Sequence, residues 1–380
     1  MSQPSPNGYD LRDAVPYHYG KFPPAGIDYG RLMMLVSSAS EALARYDQML
    51  KGLHNSSLLL APLQSQEAVV SSRMEGTVST LDEVLRYEAD REDSEGEAEA
   101  KYRSEAIEVW LYSRALRLSQ QRIKEGQPIS KFLLRSTHNV LLGYGRGAAM
   151  SPGEFKTEQN YLVDRSRRKV QFVPIRPENL NDGLDAMMTF MDNTDWEILI
   201  RTALVHLEFE ALHPFKDGNG RIGRMLIPLM LWKHGKISEP YFYMSGYLEQ
   251  RRDDYIDKMR AVSANDEWTE WVIFFLEAIE AQAQKNLQVA EQIRSLYEEM
   301  KERFRSVLSS QWGVAALDFV FTRPVFRNNV FTTRSGIPSA TAYRFVRALQ
   351  EAKLLEVVSP SAGRRPAMYS FEPLLALVRG

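Results

Sequence analysis

Residues 213–224 are the segment that most limits what this chain can fold into. They read His-Pro-Phe-Lys-Asp-Gly-Asn-Gly-Arg-Ile-Gly-Arg. Pro214 disfavours the α conformation at the residue before it, so a helix running from about Trp196 ends just before His213. Helical spacing resumes at about Asn219 and continues for roughly four turns. The sequence therefore predicts two helices joined by a short loop that carries a histidine, an aspartate and two glycines.

The side chains of this loop are those that phosphoryl or nucleotidyl transfer needs. His213 is mostly neutral at cell pH and can accept a hydroxyl proton. Asp217 is a hard oxygen ligand suited to Mg²⁺. Gly218 and Gly220 carry no Cβ atom, so their N–H groups at a helix N-terminus can form a phosphate nest. Further candidates for phosphate binding are Asn219, Arg221 and Arg224.

Three other interpretations of the segment compete with this one. Residues 218–223 satisfy the dinucleotide fingerprint GxGxxG, but that fingerprint needs a preceding strand, and residues 203–209 are helix-forming. Asp217 and Asn219 resemble the start of a calcium-binding EF-hand loop, whose other ligands are missing. A plain loop with a solvated helix start is the third interpretation, which the coincidence of so many specified positions argues against.

The segment matches, position for position, the signature HPFxxGNGRxxR of the Fic (filamentation induced by cAMP) family. This resemblance covers roughly residues 130–265 and extends beyond them. It implies transfer of AMP from ATP to a Ser, Thr or Tyr hydroxyl, with His213 as the base and Asp217 holding Mg²⁺ on the α- and β-phosphates. It also implies that Arg224 binds the γ-phosphate. Relatives with lysine in place of Gly220 phosphorylate instead, so this glycine favours AMP transfer.

Two further segments resemble parts of the same family. A β-hairpin predicted for residues 154–174 is similar to the flap that clamps the target protein by strand addition, although the residues alone fit a structural edge equally well. Its candidate target-docking residues are Lys156, Thr157, Gln159 and Asn160. Residues 247–255 stand where relatives line the adenosine pocket, and the candidates there are Tyr247, Gln250 and Tyr255. Gln250 replaces the asparagine that is common at this position.

Residues 71–76 fit the pattern [S/T]xxxE[G/N] of the family's inhibitory helix, with Ser71 first and Glu75 at the glutamate position. By itself a helix that ends in Glu-Gly is commonplace. Together with the signature, the pattern implies that Glu75 pairs with Arg224 and takes the space of the γ-phosphate. The resemblance therefore predicts a largely self-inhibited enzyme. In some relatives this glutamate supports removal of AMP, which is a further hypothesis for this chain.

Composition excludes several other classes of protein. The 380 residues contain no cysteine, which excludes disulfides, thiolate metal sites and a cysteine nucleophile. The net charge of −2 does not mark the whole chain as a nucleic-acid binder. The first 16 residues lack the apolar core of a secretory signal, and no apolar run approaches a membrane span. A soluble cytoplasmic protein with no membrane contact is expected.

Helical periodicity over most of the chain predicts a mainly α fold, with a Fic-type helical core, a small β-hairpin flap and a C-terminal winged helix–turn–helix. The segments expected are an N-terminal helical region (1–125, with the inhibitory motif at 71–76), a catalytic core (126–270), a connecting helix (271–310) and a winged-helix domain (311–380). Residues 1–27 are expected to form an irregular arm. The acidic residues within 88–100 are interpreted as a solvated loop or helix end.

Residues 311–380 carry nine basic and four acidic residues. Val330 to Leu355 predicts a helix–turn–helix, with the turn at Ser335 to Ile337, and residues 357–369 predict a wing hairpin. Such a domain can bind DNA phosphates, dock a protein or form a homodimer, because a fold does not fix a function.

The sequence thus favours a Mg²⁺- and ATP-dependent protein adenylyltransferase that acts on a protein hydroxyl, with self-modification as one outcome. Two alternatives stay open. One is transfer of another nucleotide or phosphate-linked group through the same loop. The other is a nucleotide-sensing transcriptional regulator that binds DNA, against which the presence of His213 argues, since sensing needs no base.

Overall fold

The computed structural model describes residues 9–53, 55, 59–93, 101–164 and 168–379. Its helices are α1 (Tyr29–Lys51), α2 (Ala61–Met74), α3 (Leu81–Asp93), α4 (Ser104–Lys124), α5 (Lys131–Leu141), α6 (Pro177–Met191), α7 (Ile198–Leu212), α8 (Asn219–Lys233), α9 (Ser245–Gln250), α10 (Arg252–Asn265), α11 (Trp268–Leu308), α12 (Gly313–Thr322), α13 (Asn328–Arg334), α14 (Ser339–Glu351) and α15 (Glu372–Arg379). Its strands are β1 (Val15–Pro16), β2 (Leu162–Asp164), β3 (Lys169–Val173), β4 (Val325–Arg327), β5 (Glu356–Ser359) and β6 (Met368–Ser370). The prediction of a mainly helical fold with a small β-hairpin is confirmed. Within these ranges, none of the helices is both long enough and apolar enough to cross a membrane.

Local sequence signals determine where several helices begin and end. The sequence Thr80-Leu81-Asp82-Glu83 predicts a capping box at the start of α3. It is present: the Thr80 N–H donates to Glu83 Oε2 (2.9 Å), and the Glu83 N–H donates to Thr80 Oγ1 (3.2 Å). Helical periodicity predicts a helix from Tyr102 to Ile129. Helix α4 ends five residues earlier, at Lys124, because Gly126 takes a left-handed conformation with φ of 89°.

The predicted hairpin forms around β2 and β3, which are antiparallel and place Val163 opposite Val170. Most of its predicted polar tip, residues 165–167, lies outside the described residues. Strand β3 also pairs in parallel with β1, with Val15 opposite Phe172. The arm predicted to be irregular therefore contains a strand, which two residues are too few to reveal by alternation.

The chain divides into two units. The first comprises Met1–Ala44 and Arg114–Ala283, and the second comprises Arg45–Ser113 and Gln284–Gly380. The dividing points fall within α1, α4 and α11. The four segments expected from the sequence differ from this division and stay a prediction.

Two helices, α7 and α8, form the centre of the first unit. Helix α7 is buried from Leu199 to its end, and α8 is buried from its first residue to Leu231. Helices buried on all sides are characteristic of a core. Gly223 allows their close packing, since a Cβ atom there would lie 2.3 Å from Glu210 Oε1. The loop between the two helices is thus held at both ends by packed helices.

In the second unit, Asp90 of α3 joins the C-terminal segment. Its carboxylate is 5% exposed, pairs with Arg327 at 2.6 Å and also pairs with Arg365. It accepts a hydrogen bond from the Tyr102 hydroxyl as well (2.9 Å). The interpretation of residues 88–100 as a solvated loop or helix end is therefore wrong for Asp90, which lies in a helix but is buried and paired. Residues 94–100 lie outside the described ranges.

The C-terminal segment runs from α12 through β4, α13, α14, β5 and β6 to α15, and its three strands pair antiparallel in the order β4-β6-β5. Gly336, with φ of 73°, lies in the turn between α13 and α14. A helix pair followed by a hairpin is the order expected from the sequence. The assignment to the winged-helix class stays a prediction.

Candidate active site

The loop between α7 and α8 begins and ends at left-handed residues. His213 follows the last residue of α7 with φ of 47° and ψ of 60°, and its N–H donates to the Phe209 carbonyl (3.0 Å). Gly218, with φ of 79°, precedes α8. The left-handed conformation is free for glycine but costs roughly 1–2 kcal/mol for a residue with a Cβ atom. His213 is therefore held in a strained backbone conformation, which is common at functional sites.

The imidazole of His213 is half-buried, and its Nδ1 lies 3.3 Å from the Glu210 carbonyl oxygen. A carbonyl oxygen only accepts, so Nδ1 carries the proton in the neutral ring. Nε2 then holds the lone pair. This arrangement fits His213 as a general base that acts through Nε2.

Arg221 is buried at the start of α8, with its side chain 1% exposed. Its Nη2 lies 3.5 Å from Asp217 Oδ1, which is a distant ion pair. Among the described residues, its Nε and Nη1 atoms have no hydrogen-bond partner. Buried donors are nearly always satisfied, so a guanidinium in this state is chemically suited to bind an anionic acceptor. Arg224, one turn further along α8, is also buried.

Asp217 is the carboxylate of the loop, and its side chain is 32% exposed. Its Oδ1 accepts a hydrogen bond from the Gly218 N–H (2.6 Å). No group of three or more His, Cys, Asp or Glu in the described residues could form a metal cage. Mg²⁺ is nevertheless bound by one or two carboxylates together with water and substrate phosphates. A single partly exposed carboxylate beside an anion-binding helix start fits that manner of binding.

The Asn219 side chain makes two hydrogen bonds to the backbone of Phe215 in the same loop. Its Oδ1 accepts from the Phe215 N–H and its Nδ2 donates to the Phe215 carbonyl, both at 2.8 Å. The side chain is buried. The sequence predicts a phosphate donor here. The structure places both ends of the amide on the backbone of Phe215, so that one Nδ2 hydrogen stays for a further acceptor.

His138 of α5 supports the same loop, and sequence analysis missed it. Its Nε2 donates to the Asp217 carbonyl (2.9 Å), and its Nδ1 accepts the Gly153 N–H (2.8 Å). The ring also stacks on Phe215 with centroids 3.8 Å apart. These partners fix a neutral imidazole with the proton on Nε2. Burial lowers the pKa of His138 to about 4.

This arrangement predicts that acid destabilises the first unit. The pKa of His138 is below its unfolded value near 6.5, so its contribution is complete above that pH and is lost as the pH falls toward 4. At about pH 5 the loss is about 2 kcal/mol. Urea titrations at about pH 7.5 and about pH 5 should therefore show a smaller loss of unfolding free energy for His138→Gln than for wild type. An equal loss of unfolding free energy in the two proteins would contradict the conclusion that neutral His138 stabilises the first unit.

A second buried histidine links α7, α8 and α10. His206 Nδ1 lies 3.1 Å from the Gly223 carbonyl, and its Nε2 lies 2.8 Å from the Tyr255 hydroxyl. Burial lowers the pKa of His206 to about 3. Of the residues predicted for the adenosine pocket, Tyr255 is thus packed in the core, Tyr247 is half-buried and Gln250 is exposed. The pocket assignment stays a prediction.

The residues predicted to dock a target fall into two groups. Thr157 is exposed. Lys156 is 3% exposed, and Asn160 donates to the carbonyls of His213 and Phe215 in the loop between α7 and α8. Gln159 Nε2 donates to the Asn160 carbonyl (2.9 Å) and to the Pro174 carbonyl (3.0 Å). Three of the four side chains therefore make bonds within the first unit.

The inhibitory motif lies at the end of α2, in the second unit. Glu75 caps the helix, its N–H donating to the Ser72 carbonyl (3.1 Å), and Gly76 follows with φ of 84°. Ser71 is fully buried. The predicted helix and its Glu-Gly end are present, and the pairing with Arg224 stays a prediction.

Two family models match the chain. The model described as Fic/DOC family N-terminal matches residues 33–121, and the model described as Fic/DOC family matches residues 128–231. Together these ranges make up just over half of the 380 residues. The second range contains the whole 213–224 segment. The chain therefore belongs to the Fic/DOC family.

Curated relatives carry names that describe an activity. The chain is 28% identical over 115 residues to protein adenylyltransferase fic-1 of Caenorhabditis briggsae, covering 30% of this chain and 21% of that protein. It is 31% identical over 101 residues to protein adenylyltransferase Fic of Nematostella vectensis, covering 26% and 22%. The match spans about a fifth of the length of each of these curated relatives.

Solved structures share the fold. A Fic family protein from Desulfovibrio desulfuricans G20 superposes with a TM-score of 0.57 at 18% identity, covering 92% of this chain and 98% of that one. Fic-1 of C. elegans gives a TM-score of 0.50 at 20% identity, covering 69% and 76%. At these identities the likeness establishes the fold alone.

Proposed function

We propose that this protein transfers AMP from ATP to a hydroxyl group of a protein. The observation that carries the proposal is the state of Arg221, a buried guanidinium with two N–H-bearing nitrogens that lack partners in the described residues. It stands at the N-terminus of α8, where backbone N–H groups and the helix dipole favour an anion. A polyphosphate supplies the acceptors that this guanidinium lacks.

The neighbouring residues fit the remaining parts of the reaction. His213 takes the hydroxyl proton on Nε2 while the hydroxyl oxygen forms a bond to the α-phosphorus. The bond from the α-phosphorus to the bridging oxygen breaks, and pyrophosphate leaves. Asp217 is the residue that would hold Mg²⁺, which neutralises phosphate charge when bound. Gly220 supports AMP as the transferred group, because relatives that phosphorylate instead carry lysine at this position.

Regulation by Glu75 is part of the proposal. A carboxylate beside Arg224 would compete with the γ-phosphate for the Arg224 guanidinium. The α-phosphate would then not be placed for attack by the hydroxyl. The position of Glu75 at the end of α2, followed by the left-handed Gly76, supports this part of the proposal. The target protein, self-modification and removal of AMP are extensions of the same proposal.

The alternative of a DNA-binding regulator receives less support from the charges of the second unit. Five of the nine basic residues in 311–380 pair with acidic side chains of α3. These five are Arg323, Arg327, Arg334, Arg365 and Arg379, and their acidic partners are Asp82, Asp90 and Glu92. Fewer cations are then available for DNA phosphates than the sequence count implies.

Arg221 tests the proposed nucleotide site. In a Glu75→Gly background, Arg221→Met is expected to weaken MgATP binding at least about tenfold. It should also raise the melting temperature of the ligand-free protein, because an unsatisfied buried donor costs about 1–3 kcal/mol. Isothermal titration calorimetry and thermal melts measure both.

The matched control is Arg327→Met. Arg327 is equally buried, but its guanidinium is paired with Asp90 and donates to the Pro366 carbonyl. This variant should lower the melting temperature and leave the ATP affinity unchanged. Unchanged ATP affinity in Arg221→Met, or a loss of stability like that of Arg327→Met, would argue against a phosphate site at Arg221.

A further inference from the structure

Four successive carbonyl groups of the catalytic loop accept hydrogen bonds from two residues of the flap. Lys156 Nζ donates to the Leu212 carbonyl (2.9 Å), and the Lys156 backbone N–H donates to the Pro214 carbonyl (2.8 Å). Asn160 Nδ2 donates to the His213 carbonyl (3.0 Å) and the Phe215 carbonyl (3.1 Å). The backbone on both sides of the catalytic imidazole is therefore tied to the flap.

The two flap residues also bond to each other. Lys156 Nζ donates to Asn160 Oδ1 at 2.8 Å. This bond orients the Asn160 amide with its Nδ2 toward the loop, since Oδ1 is taken by the ammonium. Lys156 and Asn160 thus act as one hydrogen-bonded pair, which we call the flap pair.

Lys156 occupies an unusual place for a lysine. It is 3% exposed, and no carboxylate pairs with it in the part of the chain that the structure describes. Burial lowers the pKa of its ammonium to about 7. A lysine is rarely buried without a carboxylate partner. Its burial therefore indicates that the role of the Lys156 side chain is to donate hydrogen bonds to the loop.

The loop needs such support for two reasons. The last carbonyls of α7 have no partners within the helix, so they are open to outside donors. His213 itself is held in the left-handed region, with φ of 47°, which it would leave if the backbone were free to relax. A small displacement of a catalytic base is enough to slow proton transfer greatly.

Resting on the proposed function, we infer that Lys156 and Asn160 are positioning residues that hold His213 in place for the transfer step, rather than contacts for the target protein. The buried Lys156 ammonium faces the loop, which leaves Thr157 as the exposed side chain among the four predicted docking residues. A movement of the flap would therefore also move the backbone of His213.

Lys156→Met and Asn160→Leu, each in the Glu75→Gly background, test the inference. Both should lower kcat for AMP transfer at least about thirtyfold and change the Kd for MgATP by less than about threefold. Lys156→Arg, which keeps a donor, should recover part of the rate. The double variant should be little slower than either single one, because the two side chains act as a unit.

Amide hydrogen exchange gives a readout that does not depend on activity. Peptides that contain residues 209–216 should exchange faster in both single variants. Lys131→Met is the matched control, because Lys131 Nζ also donates to a backbone carbonyl in the first unit, that of Asn181 (3.3 Å). This control should leave both kcat and the exchange of the loop unchanged.

Three outcomes distinguish positioning of His213 from target docking, from a structural role and from failure of the proposed function. A raised KM for the target with unchanged kcat would overturn the inference in favour of target docking. Loss of ATP binding together with a general fall in melting temperature would also overturn it, in favour of a merely structural role. If the Glu75→Gly parent transfers no label, the proposed function fails, whereas unchanged loop exchange in the variants would show that the flap pair does not hold the loop.

Discussion

Replacing His213 by alanine in a Glu75→Gly background is expected to lower the rate of AMP transfer at least about 100-fold. Nε2 of this imidazole is the proposed acceptor for the hydroxyl proton, because Nδ1 donates to the Glu210 carbonyl. The Kd for MgATP should stay within about threefold, because a base that acts only in the chemical step contributes little to ground-state binding. Transfer of label from ATP labelled at the α-phosphate measures the rate, and calorimetry measures the affinity.

His234→Ala is the control for this prediction. His234 belongs to the same unit and caps the C-terminal end of α8, away from the helix start that carries the signature. It should transfer label at the rate of its parent. If His213→Ala keeps a tenth or more of the parent rate, another group must take the proton, and the assignment of the base is wrong.

The second large effect is expected from Glu75→Gly alone, which should raise the rate of AMP transfer at least about tenfold over wild type. The wild-type protein is proposed to place the carboxylate of Glu75 against Arg224, so only a small fraction of molecules can hold the γ-phosphate productively. Removing the carboxylate raises that fraction. Initial rates at several ATP concentrations, with wild type and variant side by side, measure the change.

Glu125→Gly provides a matched control within the same chain. Glu125 also ends a helix and is also followed by a left-handed glycine, Gly126 with φ of 89°. It is exposed and lies outside the inhibitory motif. This variant should behave as wild type. A rise of similar size in both variants would mean that loosening a helix end, and not loss of the inhibitory carboxylate, increases the rate.

The features that sequence predicted well are those that depend on neighbours in the chain. Pro214 and Gly218 set the ends of the loop, and the capping box at Thr80 and Glu83 sets the start of α3. These are local steric and hydrogen-bonding rules that operate over a few residues. The same reasoning gave the helix–loop–helix on which the candidate site is built.

The features that sequence missed depend on contacts between distant residues. His138 stands 79 positions before Asp217, to whose carbonyl it donates. The sequence around His138, a helix rich in leucine, contains no pattern that indicates this distant partner. The resemblance of the hairpin to the family's flap predicts that Lys156 and Asn160 contact a target protein. Only the packed structure shows that they bond to the backbone that carries His213.

The burial of Asp90 was missed for the same reason. A run of acidic residues usually forms a solvated surface, yet Asp90 is buried between Arg327 and Arg365. The basic count of residues 311–380 likewise suggests a surface for nucleic acid. Pairing with α3 neutralises much of that charge, and pairing between segments so far apart leaves no local signal.

Labelling from the two ends of ATP distinguishes AMP transfer from phosphorylation. A lysate of the cells from which this chain comes is incubated with purified Glu75→Gly protein and Mg²⁺, in parallel with ATP labelled at the α-phosphate and ATP labelled at the γ-phosphate. Protein bands that carry label from the α-phosphate are expected, the added enzyme or a lysate protein among them, and they should be absent when Glu75→Gly/His213→Ala replaces Glu75→Gly. Lysate kinases label proteins from the γ-phosphate with either variant, so no γ-phosphate label should depend on His213. Label from the γ-phosphate that depends on His213, or no label dependent on His213 from either nucleotide, would contradict AMP transfer by this site.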